Sequence, residues 1–221
     1  MKKSAVIFDI DGLLINSEPL WNKAASEIFR QYGILLTEQQ YALTTGLRSK
    51  EFVAHWLYEH KIPSSEYDRA EQRIIDLALT MIDKDANVMP GVEHIFQFFL
   101  QKEFKIGLAT SSPVALIEIV KDKLGIRHII QASCSAQQLP LAKPHPQVYL
   151  DCAAALHTSP LACICFEDSV YGMIAAKAAR MTCVVVPSAD HMKLAHWGAA
   201  DLKLSSLQNF GALHFNMLDS E

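Results

Sequence analysis

The strongest constraint on the fold is a recurring alternation of texture along the chain. Short apolar runs rich in β-branched residues occur at 5–8, 106–109, 129–132, 162–166 and 183–186. Each is brief and has little polar alternation, as expected of strands buried on both faces of a parallel sheet. Helical stripes lie between the later runs. Val92, Ile95, Phe96, Phe99 and Leu100 fall at i, i+3, i+4, i+7 and i+8, a single apolar face. Leu116, Ile117, Val120 and Leu124 repeat the pattern, with Ser112 expected at the N-cap, Pro113 at the first helical position and Gly125 just past the end. Residues 170–180 are Ala-rich and helix-favouring. This alternation predicts an α/β fold, a doubly wound Rossmann-like parallel sheet.

Far more chain separates the first two runs than one crossover helix needs. The intervening segment carries helical stripes of its own (Trp21, Ala24, Ala25, Ile28, Phe29; Phe52, Val53, Trp56, Leu57; Ala70, Ile74, Leu77, Ala78, Met81), punctuated by Gly33, Gly46 and Pro63. Residues 16–87 are therefore expected to form a helical cap domain inserted into a core of 1–15 and 88–221. Lid over the strand ends and decorative insertion are both open at this point.

Half of the 221 residues are hydrophobic and the net charge is −4 with both signs interspersed. That excludes a disordered chain and argues against a protein built to hold nucleic acid by charge. The five cysteines sit mostly in apolar runs, as in Cys163-Ile164-Cys165, and are expected as buried free thiols rather than a zinc site. The apolar stretch before Asp9 is shorter than a secretory core, and no stretch approaches the ~18 residues of a membrane span. A cytoplasmic monomer with no nucleic-acid or membrane partner is expected.

Four polar clusters stand at expected strand ends or in loops: Asp9-Ile10-Asp11-Gly12, Thr110-Ser111-Ser112, Lys143-Pro144-His145-Pro146 and Glu167-Asp168-Ser169. Singly, each reads as an ordinary cap, turn or solvated residue. Together they mean more, because ligands of open parallel sheets bind beyond the carboxyl ends of the strands, where strand order reverses. If the first strand is central, with those at 106–109 and 162–166 beside it, all four clusters meet in one crevice. Asp9, Asp11 and Asp168, with Glu167 adjacent, would then repel by about 4 kcal/mol per pair at ~4 Å and an effective dielectric of ~20. An oxygen-rich anionic site with one lysine and neither thiol nor imidazole suits Mg²⁺ and not zinc. Asp9-x-Asp11-Gly12 is not a calcium loop, because Leu13 and Leu14 stand where an oxygen ligand and the turn glycine belong. The chain has no G-x-G-x-x-G, P-loop or G-x-S-x-G motif.

The ordered set FDIDGLLINSEPLW, GLRS, LATSSP, KPHPQVYLDCAA and FEDSVYGMIAAKAARM resembles the haloacid dehalogenase superfamily of phosphohydrolases, in its β-phosphoglucomutase-like branch with a helical cap. Within that branch it is similar to bacterial phosphatases of hexitol and 2-deoxyglucose 6-phosphates. The resemblance covers essentially the whole chain. It implies Asp9 as a nucleophile that forms an aspartyl-phosphate and Asp11 as the acid and base for leaving group and water. It implies that Thr110 holds the phosphoryl group, with Ser111 and Ser112 nearby, and that Lys143 bridges nucleophile and phosphoryl oxygens. Asp9, Asp168 and the Asp11 carbonyl would hold Mg²⁺, with Glu167 beside or in that ligand set.

On the cap, Thr45-Gly46-Leu47-Arg48 resembles the family's specificity loop. Arg48 either meets sugar hydroxyls or a second anionic group, or is a salt-bridged surface residue. Trp21 either walls a sugar face or packs in the core. Related phosphomutases usually carry histidine at the position of Trp21, which favours hydrolysis of a small phosphorylated sugar or polyol over mutase chemistry. Asn16 and Ser17 are expected at a hinge between the two parts.

Overall fold

The computed structural model describes residues 2–44 and 46–219. Its centre is a six-stranded, all-parallel sheet of β1 (Ala5–Phe8), β2 (Lys105–Thr110), β3 (Ala132–Ser135), β4 (Cys163–Glu167), β5 (Thr182–Val185) and β6 (Leu202–Lys203), in the order β3-β2-β1-β4-β5-β6. Strand order reverses at β1, with β2 on one side and β4 on the other, so the crevice expected of such sheets opens at the ends of these three strands.

Each face of the sheet has its own core, and the alternation of side chains explains their difference. Val6, Phe8, Ile106, Leu108, Ile164, Phe166 and Val184 point to one side, against α5 (Val92–Gln101), α6 (Val114–Lys123) and α9 (Ala212–Asp219). Ala5, Ile7, Ala109, Cys163, Cys165, Cys183 and Val185 point to the other, against α7 (Gln147–Ala155) and α8 (Val170–Ala178). Large side chains on one face and small ones on the other let the Ala-rich helices approach closely. The cysteines are free, and all but the half-buried Cys134 are buried.

The cap consists of α1 (Glu18–Phe29), α2 (Glu38–Leu43), α3 (Ser49–Glu59) and α4 (Tyr67–Asp85), inserted between β1 and α5. Helices α1 and α3 pack along α4, and Phe29 stacks on Phe52 with ring centroids 5.6 Å apart. No described helix is long and apolar enough to cross a membrane.

Three expectations shift. The run at 129–132 is not the strand: Ile129 and Ile130 pack beneath the turn that follows α6, and β3 begins at Ala132. Those isoleucines are apolar because they cover the core, while the edge strand itself, Ala-Ser-Cys-Ser, is more polar. The helix expected from Pro113 begins at Val114, with Pro113 at its N-cap. Ser112 does not cap it; its hydroxyl is used elsewhere, as described below. The two-residue strand β6 is too short to leave a periodic signal.

Phe99 lies fully buried on α5, with ring centroids 5.2, 5.7 and 5.8 Å from Phe104, Phe210 and Phe166. Phe99→Ala is expected to cost about 3–5 kcal/mol of stability. Chemical denaturation measures this as a lowered midpoint with an unchanged slope.

Candidate active site

The site is built on a buried ion cluster. Asp9 follows β1 directly, Glu167 ends β4, and Lys143 lies in the loop before α7. Lys143 Nζ is 2.5 Å from Asp9 Oδ1, 2.7 Å from Glu167 Oε1 and 3.0 Å from the Ala109 carbonyl. An ammonium has three protons, so all of its donors are engaged. The cation also lies 4.9 Å from the centre of the Tyr149 ring. Burial opposes its charge, but Asp9 and Glu167 outweigh burial and raise its pKa, so Lys143 is a fixed cation.

Glu167 is fully buried and saturated. Its Oε1 also accepts from Tyr149 OH at 2.5 Å, and its Oε2 accepts from the amides of Asp168 and Ser169 and from Ser169 Oγ at 3.1–3.2 Å. A Cβ on Gly172 would fall 1.8 Å from Oε1, so only glycine lets α8 start against this carboxylate. Asp9, Glu167 and Asp168 each present an oxygen within 4.8 Å of the others. Burial pushes Asp9 well above the ordinary carboxylate range, with Glu167 and Asp11 adding to the effect and Lys143 opposing it. Burial raises Asp168 likewise, reinforced by Asp9, Glu167 and Glu18. Three carboxylates facing one ammonium leave two negative charges uncompensated, which a divalent cation would match. Because Glu167 already takes five hydrogen bonds, Asp9 and Asp168 are the carboxylates with oxygens to spare. Glu167 belongs to the carboxylate group that could hold a metal, and its hydrogen bonds also orient Lys143 and the start of α8. Gly12 makes the approach of the two strand ends possible: its φ is +72°, and a Cβ there would lie 2.0 Å from Asp168 Oδ2.

Asp11 is held from both parts of the molecule. Its Oδ1 accepts from Ser17 Oγ at 2.6 Å and Trp21 Nε1 at 2.8 Å, both at the start of the cap. Its Oδ2 accepts from Ser112 Oγ at 2.7 Å and, at 3.4 Å, from Thr110 Oγ1 in the core. This is the use to which Ser112 is put in place of a helix cap, and it makes Trp21 a hydrogen-bond donor to Asp11 besides part of the pocket wall. Ser111 Oγ is buried without a partner among the described residues. An unpaired buried hydroxyl costs about 1–3 kcal/mol, and one lining a cavity is satisfied by a ligand oxygen.

These groups floor a cavity of about 130 Å³ whose cap side includes Tyr41, Gly46, Leu47, Phe52 and Ile74. Gly46 sits against Ser169 and Tyr171 of the core, within 3.2–3.5 Å of a would-be Cβ. Thr45 lies outside the described residues. Arg48 does not line the cavity. Its guanidinium is buried, pairs with Glu51, and donates to the carbonyls of Ala136 at 2.8 Å, Gln137 at 3.3 Å and Leu139 at 2.6 Å. These bonds fasten the cap to the core, and the pair with Glu51 is buried on the arginine side rather than an exposed surface salt bridge. Its i,i+3 relation to Glu51 was readable in the sequence, whereas the three carbonyls, distant in the chain, were not. Sequence reasoning also missed Tyr149, Glu18 and Asn22. Tyr149 alone carried a hint, since a tyrosine on an apolar helix face must find its hydroxyl a partner.

Arg48→Ala is expected to free those carbonyls and loosen the cap. Hydrogen exchange should accelerate in the 44–52 segment while the amides of β1 and β4 stay protected; unchanged exchange in that segment would contradict the fastening role.

The profile of the haloacid dehalogenase-like hydrolases matches residues 6–186. Hexitol phosphatase B of Escherichia coli K12 is 39% identical over 209 residues, covering 94% of both chains. Phosphorylated carbohydrates phosphatase of Thermotoga maritima is 29% identical, with 79% of this chain and 81% of that protein aligned. Among solved structures, β-phosphoglucomutase from Clostridium difficile superposes with a TM-score of 0.86 at 23% identity, over 99% of this chain and 97% of that one, a likeness of fold. The matched segment spans the site just described, and the chain belongs to the haloacid dehalogenase-like hydrolases.

Proposed function

We propose that this enzyme is a Mg²⁺-dependent phosphatase of small sugar or sugar-alcohol phosphates that works through an aspartyl-phosphate at Asp9. One observation carries the reading. A buried carboxylate cluster with two charges left over adjoins a hydroxyl-lined pocket floor that contains the unpaired Ser111 Oγ. Such a floor accepts a phosphoryl group once a divalent cation balances it. Asp9, Asp168 and the Asp11 carbonyl are the groups that would hold Mg²⁺, which supplies charge neutralisation between the nucleophile and a dianionic ester.

The chain's own residues account for the remaining steps. Lys143 fixes Asp9 through Oδ1 and leaves Oδ2 with no side-chain donor among the described residues, free to attack phosphorus. Ser111 presents its unpaired hydroxyl to the phosphoryl oxygens, and the Thr110 and Ser112 hydroxyls turn to them from Asp11 when Asp11 carries its proton. Asp11 gives a proton to the departing alkoxide and later takes one from the water that cleaves the acyl phosphate, restoring Asp9. Its bonds to Ser17 and Trp21 tie that proton transfer to the position of the cap.

The boundaries of the cap follow from the two crossings between the parts. Ile15 bridges Val88, the Asn16 amide donates to the Asn87 carbonyl, and the Met89 amide donates to Leu14. These paired crossings support a cap of 16–87 on a core of 1–15 and 88–221. Hydrolysis is favoured over mutase chemistry because the two relatives that are 38–39% identical over 94% of this chain are named hexitol phosphatases. The indole of Trp21 beside Asp11, moreover, cannot shuttle a proton as an imidazole does. Five free thiols and a phosphorylated metabolite as substrate suit the cytoplasm.

Asp9→Asn is expected to fold and to release phosphate at background rate from a panel of hexose, deoxyhexose, pentose and polyol phosphates. The unaltered protein should be active with Mg²⁺ and silent with chelator; undiminished release by folded Asp9→Asn would refute the nucleophile.

The raised carboxyls also set a sign for the effect of metal on stability. Without metal, the stability contributed by protonated Asp9 and Asp168 is full below the ordinary carboxylate range and is lost as pH rises through their raised pKa values. Mg²⁺ takes the place of those protons, so its stabilisation should grow as pH rises, reaching about 2.7 kcal/mol at a hundredfold excess over Kd. Thermal melts across pH with and without Mg²⁺ measure it, and a gain that shrinks with rising pH would contradict the ligand set.

A further inference from the structure

We infer that the pocket takes monophosphates whose remaining portion is an uncharged polyol and turns away substrates bearing a second anionic group, with Glu18 as the residue that sets this preference. The inference rests on the phosphatase reading above and deepens it.

A second phosphate or a carboxylate on the substrate would need a cation beyond the one that serves the reacting phosphoryl group. Lys143 is the only Lys or Arg among the described residues lining the cavity, and its three protons are committed to Asp9, Glu167 and the Ala109 carbonyl. Arg48, close by in sequence to the cap wall, is spent on Glu51 and three core carbonyls. Among the described residues, no mobile cation is left at the cavity wall to meet a distal anion.

Glu18 works in the opposite direction. It is the first residue of α1 and lines the same cavity as Trp21 and Asn22. An acidic residue in a first helical turn is ordinarily explained by the helix dipole, and that would suffice if the side chain were solvated. Here it is half-buried on the cavity wall, and its carboxylate takes no hydrogen bond from any described residue. Burial, followed by the charge of Asp11, pushes its pKa up, while His191, which is not among the lining residues, pulls it down. A half-desolvated acceptor without a donor is satisfied by a ligand hydroxyl. The same acceptor repels a ligand carboxylate or phosphate, whose other described neighbours on the cap side carry no charge, being polar at Asn22, Thr44 and Ser49 and apolar at Leu47, Phe52 and Ile74. A polyol therefore gains a hydrogen bond where an acid loses one and meets a like charge.

The test compares glucitol 6-phosphate with gluconate 6-phosphate, which differ at the far carbon by a hydroxymethyl group against a carboxylate. With Mg²⁺ at low ionic strength, the unaltered enzyme should favour the neutral ester in kcat/KM by about tenfold, the scale of one like-charge contact near a protein surface. Glu18→Gln should bring that ratio close to one, Glu18→Asp should keep it, and added salt should narrow it. The same pair is measured by calorimetric binding to Asp9→Asn and to Asp9→Asn/Glu18→Gln, so that discrimination is read without turnover. Circular dichroism checks that each variant is folded. A ratio that is the same in the unaltered enzyme and in Glu18→Gln, or equal binding of the two esters to Asp9→Asn, would overturn the inference. Absence of hydrolysis of either ester by the unaltered enzyme would instead overturn the phosphatase reading, and the binding ratio would still decide the role of Glu18.

Discussion

Lys143 Nζ, buried between Asp9 Oδ1 and Glu167 Oε1, is the contact on which the rest of the structure turns. It ties the end of β1 to the end of β4 and, through the Ala109 carbonyl, to β2, the three strands that flank the reversal in strand order. Removing one partner of such a cluster typically costs 3–5 kcal/mol, because the other charge is stranded. Glu167 passes the constraint onward: its second oxygen organises the amides of Asp168 and Ser169 at the start of α8. Asp168 is thereby held where only a glycine at residue 12 leaves room for it. The site is thus a consequence of how the sheet closes its central crevice, and its surplus of negative charge is what the proposed divalent ion would balance.

The cap is coupled to this centre at two kinds of contact. Ser17 and Trp21 reach Asp11 directly, so the residue assigned the proton transfers answers to the position of α1. Arg48 and Gly46 act at a distance from the chemistry, one against the carbonyls at 136–139 and the other against Ser169 and Tyr171. A cap held this way would exclude bulk water from the proposed acyl phosphate. On the cap wall, Glu18 is the one acidic residue among the described lining residues, beside uncharged polar and apolar neighbours.

Much of this was legible in the sequence, for physical reasons that also mark the limits. Strands such as Ala5–Phe8 announce themselves because both faces are buried and no polar residue can be tolerated. Asp9, Asp11, Thr110, Lys143 and Asp168 stood out because they follow or punctuate such runs, and the crevice rule brought them together before any coordinates did. What failed depended on partners distant in the chain. Ile129 and Ile130 imitate a strand while covering a turn. Ser112 sits where a helix cap belongs, yet bonds a residue about a hundred positions earlier. Lys143 and Tyr149 as donors to Glu167, and the three carbonyls around Arg48, come from distant parts of the chain and could not be read from local sequence. Glu18 carried no signal, because an acid in a first helical turn needs no further explanation.

The most direct test of the central claim is to quench turnover in acid and locate the phosphoryl group by peptide mass spectrometry. With a sugar phosphate and Mg²⁺, one phosphoryl group should be found on the peptide containing Asp9, and none when chelator replaces the metal. Steady release of phosphate with no label on that peptide, or label on a different residue, would contradict the account.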